Sequence, residues 1–208
     1  MTRGARDGTI SRRSWLLAGL AIPLSCARSE EPLSVSFDGD NLHLAAPELH
    51  FLSGRVLSRL KDADTVTFLS QITLFNDAYG VSVFKRVPHR VVVSYALWED
   101  KFAVTILGAA TRTTMHSTAA QAESWVIENL AVSALGMAPD RPFWLRFEFR
   151  AASQKELSTI LGDTGISLQR VVEFFSRKAT AENPAWVMNT PMLTLKALPR
   201  TVLHGRNG

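Results

Sequence analysis

The chain has 208 residues, 46% hydrophobic and 20% charged, with a single cysteine, Cys26. That length suits one domain with a proper core, and a lone cysteine excludes a disulfide framework and a thiolate metal cluster. The net charge of +4 misleads as a guide to partners, because the first 27 residues hold four arginines against one aspartate and so carry three of the four charges; the near-neutral remainder, with dispersed charges, excludes the clustered basic surface of a nucleic-acid binder.

Residues 1–27 read as an export signal. Arg3, Arg6, Arg12 and Arg13 form a basic start, residues 15–22 an apolar middle, and Leu24-Ser25-Cys26-Ala27 a small-residue exit after the helix-breaking Pro23. The apolar run is about half of the roughly 20 residues needed to span a bilayer, so a signal is expected rather than a membrane helix. Ser11-Arg12-Arg13-Ser14-Trp15-Leu16-Leu17 resembles the twin-arginine export motif, with Arg12 and Arg13 as the pair; an ordinary secretory signal that happens to hold adjacent arginines is the alternative. Cys26 also has two readings. Cleavage after Ala27 discards it, whereas lipidation at Cys26 anchors the protein to a membrane without spanning it. Either way, residues 28–208 are expected to form a single exported domain, periplasmic or extracellular.

In that domain, residues 33–37 and 42–44 alternate apolar and polar about the turn Asp38-Gly39-Asp40-Asn41, which predicts a hairpin. Leu49, Leu52, Val56 and Leu60 recur at helical spacing, so residues 48–61 are expected to be a helix. From Asp64 the period becomes two: Val66, Phe68, Ile72 and Leu74 alternate with Thr67, Gln71 and Thr73 up to a turn at residues 76–80. Residues 81–84 resume as a strand that Pro88 interrupts, residues 90–98 form another, and residues 101–106 a third after the Glu99-Asp100 turn. Thr118 and Gln121 fit a capping box for a helix expected to run to about Leu135, with Gly136 as its stop. Phe143, Leu145, Phe147 and Phe149 then face one way, and Trp144, Arg146, Glu148 and Arg150 the other. Helices are expected at about 153–161 and 166–179, and an irregular tail from about 183 with one late edge strand near 192–197. Short turns between alternating runs imply antiparallel pairing. The expected fold is α+β, an antiparallel sheet of six to seven strands with helices packed on one face; a curled sheet or β-sandwich with flanking helices is the alternative.

The order of these elements carries a resemblance. Arg90-Val91-Val92-Val93-Ser94-Tyr95-Ala96-Leu97-Trp98 leads into Lys101-Phe102-Ala103-Val104, then come the helix from Thr118 and the Arg146-Phe147-Glu148-Phe149-Arg150 strand. Over about residues 33–165 this resembles an uncharacterised family of bacterial exported proteins catalogued as a domain of unknown function. The resemblance implies an envelope protein and carries over no functional residue.

The residues themselves offer little assembled chemistry. No nucleophile elbow, phosphate loop, dinucleotide fingerprint or His-Glu-x-x-His pair occurs, and no cofactor motif. Asp38-Gly39-Asp40 begins like a calcium loop, but Leu42 stands where an oxygen ligand is needed. His43, His50, His89, His116 and His204 are scattered, with no short metal-ligand spacing. Glu99 and Asp100, neighbours at a turn, are expected to diverge rather than to face each other across a glycosidic bond. The Trp144, Arg146, Glu148, Arg150 stripe is the feature most suited to a partner, since tryptophan and arginine favour interaction hot spots; Trp144, Arg146 and Arg150 are the candidate partner surface, against a solvated face with cross-strand ion pairs. The leading expectation is a non-enzymatic binding or accessory module of the cell envelope that takes an envelope protein or an apolar ligand. The alternative is an extracytoplasmic hydrolase with a site assembled from distant residues, which would show as a histidine meeting a carboxylate in a cleft.

Overall fold

The structure, a computed structural model, describes residues 33–200 apart from 109, 163–164 and 181–182; Arg12, Arg13, Cys26 and His204 lie outside the described residues. The N-terminal hairpin is present as β1 (Ser34–Phe37) and β2 (Asn41–Ala45). Its turn is held by Asp38, whose Oδ1 accepts the amides of Asp40 and Asn41 at 3.0 and 2.7 Å. Helix α1 (Gly54–Lys61) is shorter than its apolar spacing predicts. The preceding residues, 48–53, form an irregular approach that sends Leu49, Phe51 and Leu52 into the core.

The strands β3 (Val66–Phe75), β4 (Val83–Ala96), β5 (Lys101–Leu107) and β6 (Arg112–His116) follow as successive antiparallel neighbours. β4 runs unbroken through Pro88, where an interruption is expected from sequence. β5 pairs with β4 only from Arg90 onward, so at Pro88 β4 has β3 alone as a neighbour, the edge position in which a ladder tolerates a residue with no N–H. Helix α2 (Ala119–Asn129) ends six residues before the expected Leu135. Residues after it form β7 (Ala131–Ser133), which joins β2.

β8 (Trp144–Ala152) pairs with β3, placing both in the middle of the large sheet. Helix α3 (Gln154–Ile160) starts with a capping box between Ser153 and Glu156. The two-residue strands β9 (Leu161–Gly162) and β10 (Gly165–Ile166) pair with each other and lead to α4 (Leu168–Ser176). The tail is more ordered than expected: β11 (Ala185–Asn189) pairs with β8, earlier in the chain than the predicted late strand. Around 192–197 there is instead a single bridge between Leu193 and Phe143 and one 3-10 turn (Leu195–Ala197).

The fold is α+β: a six-stranded antiparallel sheet in the order β11-β8-β3-β4-β5-β6, with a small sheet in the order β1-β2-β7. The main core lies between the two sheets. Phe68, Ile72 and Leu74 of β3, Leu145, Phe147 and Phe149 of β8 and Val91 and Val93 of β4 meet Leu42 and Leu44 of β2, Val56 and Leu60 of α1 and Val126 of α2. Phe51, Phe68 and Phe149 cluster there with ring centroids 4.7–5.1 Å apart, spacing at which aromatic pairs add to plain burial.

Helices also cover part of the opposite face, which differs from the single helical face expected. Leu69 and Ala152 on that outer face pack with Leu157 and Ile160 of α3 and Val171 and Phe174 of α4. Arg150 fastens this cover. It is only 3% exposed. Its Nη1 donates to the carbonyls of Phe174 and Arg177 at 2.8 and 2.9 Å, and its Nη2 to that of Lys178 at 3.3 Å. A cation at the C-terminal end of a helix also answers the negative end of its dipole. The guanidinium lies 4.5 Å over the Phe174 ring and 3.7 Å from Glu156. Replacing Arg150 by Met keeps much of the volume but strands three carbonyls and a carboxylate. Urea unfolding is expected to show a loss of about 2–4 kcal/mol, with Arg150→Lys recovering part of it; no loss for Arg150→Met would show that α4 is held by apolar contacts alone.

Candidate functional site

Because side chains alternate along a strand, the register of the large sheet assembles two polar rows on its outer face. Thr73 of β3 stands between Arg86 of β4 and Arg146 of β8, and Asn189 of β11 follows Arg146. One step along, Gln71 stands between Pro88 and Glu148, and Val187 follows Glu148. The α3–α4 cover reaches only the Leu69 end of this face. Beyond its edge the two rows floor a hollow of about 250 Å³, walled by Val172, Phe175 and Ser176 of α4 and closed at the far end by Phe75. Phe75 is stacked on Trp144 with centroids 4.2 Å apart.

The floor is polar and incompletely paired. Gln71 Nε2 donates to Glu148 Oε2 at 2.8 Å, and Arg146 Nε lies 3.4 Å from Glu148 Oε1 without hydrogen-bond alignment. Gln71 Oε1, Thr73 Oγ1 and Arg86 Nε are all buried and have no hydrogen-bond partner. Thr73 is 1% and Gln71 3% exposed, so these are costly groups to leave unmatched. Arg86 makes no ion pair among the described residues. With Arg146 set against Glu148, the hollow keeps one uncompensated positive charge. Backed by sheet and helix, that charge is less screened than one on an open surface.

The candidate stripe splits into three roles. Trp144 is tied to the β3–β4 turn, its Nε1 donating to the Asp77 carbonyl at 2.7 Å. Its ring also lies 3.0 Å from where a Cβ on Gly80 would stand, so this left-handed turn position accepts only glycine. Arg150 is enclosed by α4 and presents nothing to a partner. Arg146 alone faces the open hollow, its side chain 42% exposed. Sequence reasoning passed over Gln71, Thr73 and Arg86. Their signal was polar residues at the outward positions of β3 and β4, whose inward positions are mostly apolar.

The described histidines do not gather in this hollow. His43 Nε2 bonds Asp38 Oδ2 at 2.7 Å beside the first turn. That bond, helped by the Asn41 amide, holds the Asp38 carboxyl down at about 2. His50 Nδ1 lies 3.2 Å from Glu123 Oε2, while Glu123 Oε1 accepts the Leu52 amide at 2.5 Å; this carboxylate pins the approach to α1. His116 packs against Trp125 at 5.9 Å. His89 points into the main core opposite Ser70. Asp100 accepts the Tyr95 hydroxyl, so it is engaged within its own hairpin. Among the described residues no group of three or more His, Cys, Asp or Glu could hold a metal ion, and no helix is long and apolar enough to cross a membrane. An apolar hollow between Phe84, Met137 and Phe143 measures only about 70 Å³, well below the roughly 300–1,000 Å³ of drug-sized ligand sites.

The chain is thus an α+β protein whose large sheet carries a cationic hollow on its outer face. No protein-family model, no curated protein and no solved structure matches it.

His89, on the core-facing side of β4, gives the sheet a pH signature. Burial pushes its pKa down to about 4 from an ordinary 6.5. The unfolded chain therefore binds the proton more readily, and the stability that neutral His89 confers is complete above pH 6.5 and lost as pH falls to 4. The expected loss across that window is about 3 kcal/mol. Chemical denaturation of the protein and of His89→Leu at pH 7 and pH 4 checks it. The two pH responses should differ by that amount, and identical responses would show that His89 is solvated. Asp38 acts in a separate window, its contribution being lost only as pH falls from 3.8 towards 2.

Proposed function

We propose that the protein is an exported, non-enzymatic binding module whose outer-face hollow takes a small anionic ligand. The observation that carries this reading is the Arg86–Thr73–Arg146 row, in which one arginine has no ion-pair partner among the described residues and a buried hydroxyl has no bond. Guanidinium groups match oxyanions with directed N–H donors, and two of them flanking a hydroxyl on neighbouring strands form a pre-arranged row, so little ordering is lost on binding. Its size suits a molecule smaller than a typical drug-sized ligand. The apolar hollow at Phe84 measures about 70 Å³, too small for an apolar ligand of drug-like size, which favours the anion.

Export rests on the arrangement of residues 1–27, with Arg12 and Arg13 as the translocation signal and Cys26 as either a discarded residue or the point of lipid attachment. Two measurements test the whole reading. The denatured mass of the protein taken from its cell envelope is expected to correspond to a start at Arg28 or to an acylated Cys26. A full-length chain confined to the cytoplasm would overturn export. Titration with acetate, sulfate and phosphate, followed by thermal shift, is expected to show saturable stabilisation by at least one of them, with Arg86→Ala weakening the binding about tenfold or more. The Arg86 side chain makes no hydrogen bond or ion pair among the described residues, so its truncation should leave the melting temperature without ligand nearly unchanged. Anion effects that survive Arg86→Ala would place the binding elsewhere.

A further inference from the structure

Resting on the reading of the hollow as an anion site, we propose that its ligand is a hydroxycarboxylate: a small monoanion with a hydroxyl close to its carboxylate. Two features of the floor select this class, its charge and its unmatched hydrogen-bonding groups.

The charge comes first. Arg86 and Arg146 face the hollow together with Glu148, and the balance of one positive charge is neutralised by a monoanion. A dianion such as phosphate would bring its second negative charge beside Glu148, which is buried in the same floor. A zwitterion would leave the surplus cation uncompensated, and its ammonium would find Glu148 Oε2 already accepting from Gln71 and Oε1 facing Arg146.

The unmatched groups come second. Arg86 Nε and Arg146 Nε are buried donors without acceptors, and Thr73 Oγ1 can donate alongside them; a carboxylate supplies acceptors for all three. Gln71 Oε1 is the opposite case. Its amide nitrogen is committed to Glu148, so the oxygen is a buried acceptor that lacks a donor. A plain carboxylate cannot serve it, whereas a ligand hydroxyl can. Gln71 and Thr73 are two residues apart on one strand, about 7 Å, and a hydrogen bond of about 2.8 Å at each end leaves only a short link between the ligand's two groups. The carbon side of such a molecule would lie against Phe75 and Phe175.

Isothermal titration of the full chain with lactate, gluconate, propionate, glycine and inorganic phosphate decides the matter. Lactate or gluconate is expected to bind about tenfold more tightly than propionate, with glycine and phosphate weaker still. Arg86→Ala should weaken binding about tenfold or more, and Gln71→Met should bring hydroxy acid and propionate to equal affinity, each variant first checked for native circular dichroism. If a variant does not fold, the ranking on the unaltered protein decides alone. Propionate equal to lactate, or a preference for phosphate or glycine, would overturn the hydroxycarboxylate while leaving the anion site in place. No binding of any of the five, and none of acetate or sulfate, would overturn both readings.

Discussion

A buried guanidinium holds the outer half of this protein together. Arg150 stands on a central strand, next to Leu69 of β3 and Ala185 of β11, and reaches up to the last carbonyls of α4. A cation taken out of water is costly unless its donors are satisfied. Here carbonyls serve Nη1 and Nη2, a carboxylate and an aromatic face lie alongside, and Nε alone is buried without a partner. In return the helix is pinned at one end and laid over the sheet at a set height. Glu156 belongs to the same arrangement, since it caps α3, takes a bond from Asn183 and faces Arg150. One side chain therefore couples the α3 start, the α4 end and the approach to β11.

The partial cover creates the hollow. At the Leu69 end the outer face is apolar and α3–α4 seal it. At the Phe75 end it is polar, and the helix wall stops short. Had α4 continued across, the hollow above Gln71, Thr73 and Arg86 would be filled; had it been missing, the floor would face bulk water with weakened fields. The geometry in between, a charged floor with one apolar wall, is the feature on which the proposed anion site rests.

Much of the inward-facing architecture was legible in the sequence. Phe143, Leu145, Phe147 and Phe149 announce their burial through simple alternation, and all four are in the core. The first hairpin was legible through its turn, and the helices expected at about 153–161 and 166–179 stand as α3 and α4. What escaped depended on partners far along the chain. Val132 and Ala134 follow α2 so closely that they pass for another helical turn, and only pairing with β2 makes residues 131–133 a strand. Arg150 looked like a surface residue because its cover arrives some 25 positions later, with α4. Arg86 could not be placed beside Thr73 from sequence, since that neighbourhood depends on the β3–β4 register and on the irregularity between Leu74 and Phe75. Arg146 was found by its outward position, but its companions in the row were not.

Pro88 has a consequence for how the molecule behaves among copies of itself. From Val83 to His89, β4 has no strand partner among the described residues on the side that β5 occupies farther on, and an unpaired edge of this kind can accept a strand from another chain, the first step of fibre growth. A proline near the end of that run has no amide donor to offer such a newcomer. The residue that looks like a flaw in the strand thus acts as a guard on its open flank, protecting a protein of high strand content from stacking edge to edge when it is crowded.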